Sequence, residues 1–149
     1  MKVRFVCVVL GATILSACGE SGSPTFTPSQ LVVSINPNPL SAPSAPGVDL
    51  TFDVALQVVG SGSFLILGAE ARLVDAALAE VGRTNEFWSR ASGCATCSTD
   101  VRLKGNDRVT FGGKRVRFVG GASPVRLLYT VSYEDSFGSG TATTEVAVR

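Results

Sequence analysis

From Leu31 to the end of the chain, apolar residues recur at every second position. Leu31, Val33 and Ile35 alternate with Val32 and Ser34. Leu50, Phe52, Val54, Leu56 and Val58 alternate with Thr51, Asp53, Ala55 and Gln57. Such alternation predicts strands with one face in a core and one in water. Gly60-Ser61-Gly62 breaks the run. The next strand, Leu65 to Val74, sets Leu65, Leu67, Ala69, Ala71 and Leu73 on one face and Glu70 and Arg72 on the other. Residues 75–82 support two readings. Asp75 can cap a short helix closed by Gly82, or it can start a turn feeding a strand to Val81. The turn is favoured because both neighbours read as strand. Glu86-Phe87-Trp88-Ser89 predicts a separate short strand, and 92–99 a loop. Val101 and Leu103 follow, then a turn at Gly105-Asn106-Asp107. Val109 and Phe111 come next, then Gly112-Gly113, then Val116 and Phe118. Finally, Val125, Leu127, Tyr129, Val131 and Tyr133 run into a turn segment at 135–140, and Ala142, Thr144, Val146 and Val148 run back.

Short strands with frequent turns and no long helical pattern predict an all-β fold, a two-sheet antiparallel β-sandwich over residues 31–149. Asn36 to Gly47, with four prolines, reads as an extended connection between two strands. The closing hairpin, Tyr129 to Arg149, resembles the last two strands of immunoglobulin-like and fibronectin type III-like domains of bacterial surface proteins. That resemblance implies an immunoglobulin-like sandwich. Antibody-type domains differ in carrying an inter-sheet disulfide and a core tryptophan on the third strand.

The start of the chain has a different pattern. Lys2 and Arg4 precede an almost wholly apolar run, Phe5 to Leu15, and then the small residues Ser16 and Ala17. These are the parts of a secretory signal, and the run is well short of the ~20 residues of a spanning helix. Leu15-Ser16-Ala17-Cys18 resembles the lipobox of bacterial lipoproteins. The resemblance implies cleavage before Cys18 and diacylglyceryl and palmitate-type acylation of that residue, with membrane attachment through the lipid anchor. Gly19, rather than an aspartate, implies the outer membrane as destination. Residues 1–17 are thus expected to be a signal peptide that takes Cys7 with it. Residues 18–30, rich in Gly, Ser, Pro and Thr, are expected to be a flexible tether spanning roughly 20 Å.

Composition narrows the chemistry. The chain carries 13 basic and 12 acidic residues, and loss of residues 1–17 with Lys2 and Arg4 takes the net charge from +1 to −1. Neither value drives binding to nucleic acid. There is no histidine, which excludes Ser-His-Asp and Cys-His catalysis within the chain and removes the commonest transition-metal ligand. No glycine-rich loop runs from a strand into a helix, so nucleotide binding has no motif.

Cys94-Ala95-Thr96-Cys97 is read as a local disulfide in an oxidising compartment, worth at most about 2 kcal/mol for so short a loop. The alternatives are a thiol-disulfide redox pair and a zinc site. The first wants a helix N-terminus and the second wants two further ligands. Arg102, Lys104, Arg115, Arg117 and Arg126 alternate with apolar residues and are expected to share one solvent face if their strands join one sheet. That face would suit an anionic partner, or it would be ordinary solvated surface. Phe87 and Trp88 form a buried pair or a platform for a sugar ring. Glu134-Asp135 beside Gly138 and Gly140 reads as turn chemistry rather than a calcium site. The expected function is a non-enzymatic binding or structural module of the cell envelope. It needs no cofactor, and its partner is an envelope protein or a glycan. A redox protein using Cys94 and Cys97 and a carbohydrate-binding module using Trp88 are the alternatives.

Overall fold

The computed structural model describes residues 28–97 and 99–149. The signal segment, Cys18 and most of the expected tether lie outside the described residues. Eight strands are formed in chain order: β1 Gln30–Asn36, β2 Asp49–Val59, β3 Ser63–Val74, β4 Glu80–Phe87, β5 Val101–Lys104, β6 Arg108–Arg117, β7 Arg126–Asp135 and β8 Gly138–Ala147. They make two antiparallel sheets, one ordered β1-β2-β6 and the other β4-β3-β7-β8. In the second, β5 pairs Ser63–Ile66 of β3, and β4 pairs Gly68–Val74 of the same strand. The fold is therefore all-β, a two-layer sandwich. No helix of the described residues is long and apolar enough to cross a membrane.

The alternating residues build the core. Leu31, Val33 and Ile35 of β1, Leu50 to Val58 of β2 at every second position, and Leu127, Tyr129 and Val131 of β7 are buried. Phe52 meets Tyr129 edge-to-face across the layers, with ring centroids 5.6 Å apart. Phe64 meets Tyr133 in the same way at 5.0 Å. The connection after β1 returns to the same sheet. On the way, Leu40 drops into the core and bridges Val148 in parallel, with Leu40 N–H on Ala147 O at 2.9 Å.

Several expectations are corrected by two bulges. Register shifts between Ile66 and Gly68, so Leu67 is the extra residue in β3. Before it Phe64 and Ile66 face the core, and after it Ala69, Ala71 and Leu73 do. Leu65 and Leu67 therefore do not share the face of Ala69. Gly112-Gly113 does not divide two strands either. It lies inside β6, where two residues oppose the single Asp53, and Gly113 has φ 66°. Asp53 Oδ1 accepts Gly113 N–H at 2.9 Å. A glycine accepts this left-handed conformation without a Cβ clash.

Residues 75–82 form the turn, not the helix. Asp75 Oδ1 accepts N–H from Ala77 and Ala79, both at 2.9 Å, and β4 then runs from Glu80. Glu86 and Phe87 are its end, not a strand of their own, and Trp88 and Ser89 lie beyond it. The last turn is tighter than expected. Asp135 pairs Gly138, leaving only Ser136 and Phe137 between the strands.

Candidate functional site

Where β4 of one sheet meets β6 of the other, the sandwich closes on a polar-aromatic cluster. Alternation along β4 turns Glu86 inward. Trp88 stacks on Phe111 with centroids 4.4 Å apart and planes 27° apart. Its indole N–H donates to Glu86 Oε2 at 2.8 Å. The Lys114 ammonium donates to the same oxygen and lies 4.6 Å from the Trp88 ring centroid. The expected Phe87–Trp88 pair is thus replaced. Adjacent strand-like positions point to opposite sides, so Trp88 goes in and Phe87 goes out, 61% exposed. Below the cluster the Tyr129 hydroxyl is buried with no hydrogen-bond partner among the described residues. Burial, and then the charge of Glu86, push the phenol well above its ordinary range.

The outer face of the five-stranded sheet carries a different array. Arg83 Nη2 donates to Glu70 Oε2 at 2.5 Å and Arg72 Nε to Glu80 Oε2 at 3.1 Å. The Glu70 bond raises the Arg83 pKa. Above them, Phe87, Gly68 and Ser132 line up across three strands. With Asn85, Glu70 and Ser92 they line an open hollow of about 380 Å3. Gly68 has no alternative, because a Cβ there would lie 2.1 Å from Glu86 O.

Cys94 and Cys97 are joined by a disulfide, with Cα atoms 5.4 Å apart. The loop that carries them is held at its base by Ser89, fully buried. Its hydroxyl donates to Ile66 O at 2.5 Å and accepts Val101 N–H at 2.9 Å. Arg90 Nε donates to Cys97 O at 3.0 Å. The pair follows a single 3₁₀ turn, Arg90–Ser92, and lies in irregular chain. It does not sit at the start of a helix, the setting that activates a thiol.

The five basic residues do not form one face. Arg115 and Arg117 are on β6 in the three-stranded sheet. Arg102, Lys104 and Arg126 belong to the other sheet, whose outer surface looks the opposite way. The strands did not join one sheet, which was the condition for a common face. Arg117 Nε pairs with Asp49 Oδ1 at 2.8 Å, and this bond holds the Asp49 carboxyl below its usual range. Arg126 Nη1 pairs with Glu145 Oε1 at 3.2 Å, and Arg102 Nη2 with Asp100 Oδ2 at 3.7 Å. Asp135 Oδ1 accepts N–H from Phe137 at 2.7 Å and Gly138 at 3.1 Å, which is turn chemistry. Among the described residues no group of three or more His, Cys, Asp or Glu is arranged to hold a metal.

No protein-family model and no curated protein matches the chain. Among solved structures, it is similar to a Bordetella pertussis crystal structure described as ApaA. The two share 12% identity at a TM-score of 0.42, over 81% of this chain and 95% of the other. A likeness at that level carries no argument about fold or function.

Proposed function

We propose that this chain is a lipid-anchored lipoprotein of the cell envelope, delivered to the outer membrane. Its immunoglobulin-like domain acts as a non-enzymatic binding or structural module. The observation that carries the reading is Leu15-Ser16-Ala17-Cys18, placed after a charged start and an apolar run too short to span. Two or three acyl chains on Cys18 anchor stably, at ~0.8 kcal/mol per buried CH₂. The immunoglobulin-like assignment is supported by strand order. Strands one, two and six lie in one sheet and three, seven and eight in the other, matching A, B, E against C, F, G. Metabolic labelling with a fatty acid tests the anchor. The intact protein takes up label and sediments with membranes, and Cys18→Ser does neither. Labelling of the Cys18→Ser protein would reject the reading.

One observation favours glycan as the partner, by a different residue from the one expected. Trp88 is committed to Phe111, Glu86 and Lys114, and Phe87 is the aromatic exposed beside Asn85 and Ser132 in the outer hollow. An apolar ring beside planar amide and hydroxyl groups suits the face and edge of a sugar. On a glycan array, Phe87→Ala is expected to abolish a signal that Trp88→Phe retains. Equal signals from Phe87→Ala and the unaltered protein would remove glycan as the ligand of this hollow.

A further inference from the structure

One end of the sandwich collects the start of the described chain and the most exposed large apolar side chain in it. Phe137, in the two-residue turn between β7 and β8, is 82% exposed. Ser29, immediately before β1, lines the same small hollow as Ser136 and Phe137. Its hydroxyl accepts Gly62 N–H at 2.6 Å, which pins this first segment to the β2–β3 turn. Register brings more to this end. Gln30 pairs Val59, which is 47% exposed, and Ser63 pairs Lys104. Arg108 opens β6 opposite Gln57. Lys104 and Arg108 are exposed, and neither has a carboxylate within ion-pair distance among the described residues. Acids are present as well. Asp135 is turned onto the Phe137 and Gly138 N–H groups and Asp107 onto Lys104 N–H, while Glu134 stays exposed. The opposite end holds the 118–125 connection and the turn at Asp75.

We propose that this end faces the lipid bilayer, with Phe137 entering the interface and Val59 beside it. Lys104 and Arg108 lie against lipid phosphates. The inference rests on the anchor at Cys18 and deepens it. Ten residues lie between Cys18 and Ser29, and a linker with the Gly, Ser, Pro and Thr content expected of a tether spans only roughly 18 Å in the mean at that length. The end that carries Ser29 therefore stays near the lipid, and an exposed Phe there meets the interface instead of water. Aromatic rings are favoured at that depth, and cations are drawn to anionic headgroups within a Debye length. The acyl chains supply attachment and Phe137 supplies orientation. The outer hollow at Phe87 then stands to the side of the domain, clear of the membrane.

The test uses the full acylated protein in phosphatidylethanolamine–phosphatidylglycerol vesicles carrying a nitroxide lipid. A small fluorophore is attached through Ser136→Cys in one sample and through Ala122→Cys, at the far end, in another. Intact mass reports acylation of each. The expected result is quenching several-fold stronger at position 136 than at 122, with the difference largely lost when Phe137→Ser is added to Ser136→Cys. Equal quenching at the two positions in acylated protein overturns the inference and leaves the anchor standing. A mass showing no acyl chain overturns the anchor and the inference together. A difference that survives Phe137→Ser unchanged overturns the role of Phe137.

Discussion

Asp75 holds the turn between β3 and β4 through a single carboxylate oxygen. Its carboxylate takes two backbone N–H groups that the turn leaves without partners, and it is 92% buried while doing so, with 8% of its surface exposed. Asp75→Ala removes the acceptor and keeps the buried donors, so urea unfolding should show a loss of about 2 kcal/mol. Asp75→Asn keeps one acceptor oxygen and should lose less. Tyr129 makes a second prediction at this scale. Its folded pKa is raised above the unfolded value near 10, so the folded state holds its proton where the unfolded chain releases it. That contribution is fully present below about pH 10 and is lost as pH rises beyond it, by up to about 1.4 kcal/mol per pH unit. Tyr129→Phe cannot titrate. It should flatten the alkaline limb of a stability-versus-pH curve, and a limb equally steep in both proteins would contradict the assignment.

At the scale of elements, the decisive joint is the β4–β6 seam. One carboxylate, Glu86, holds the indole of Trp88 and the ammonium of Lys114, each mostly out of water. Removing either partner alone leaves the other charge part-buried, which costs more than the pair contributes. A double-mutant cycle of Glu86→Gln and Lys114→Met should therefore show a coupling of about 1–2 kcal/mol, with the double variant better than the sum of the singles. Simple additivity would mean the pair is solvated. This seam was hidden in the sequence, because Glu86 and Lys114 are 28 residues apart and only the pairing of sheets brings them together. The strands themselves were legible wherever one face is wet and one dry, as in β1, β2, β7 and β8. Legibility failed at bulges. Leu67 reverses the parity of β3, and the unbroken apolar run Phe64-Leu65-Ile66-Leu67 gives no mark of where the extra residue sits. Gly112-Gly113 looked like a break because glycine serves turns and bulges alike. Trp88 was assigned to Phe87 by adjacency, although neighbours in an extended chain point apart.

For the whole molecule, the two sheets set what can act together. Basic residues that alternate correctly along their own strands are divided between opposite outer surfaces, so no single cationic plate results. The disulfide loop and the Phe87 hollow are brought together instead. Ser92, at the end of the 3₁₀ turn that precedes Cys94, forms part of the wall of the hollow, and Ser89 ties that loop to β3 and β5. The attachment proposed at one end and the recognition proposed on one side would together give the domain a fixed stance at the envelope. Intact mass spectrometry of the protein purified from membranes tests the attachment most directly. The account predicts a chain that begins at Cys18, with the mass of residues 18–149 increased by a diacylglyceryl group and further by an acyl chain where the amine is modified. A chain that retains residues 1–17, or that begins at Cys18 with no added mass, would contradict it.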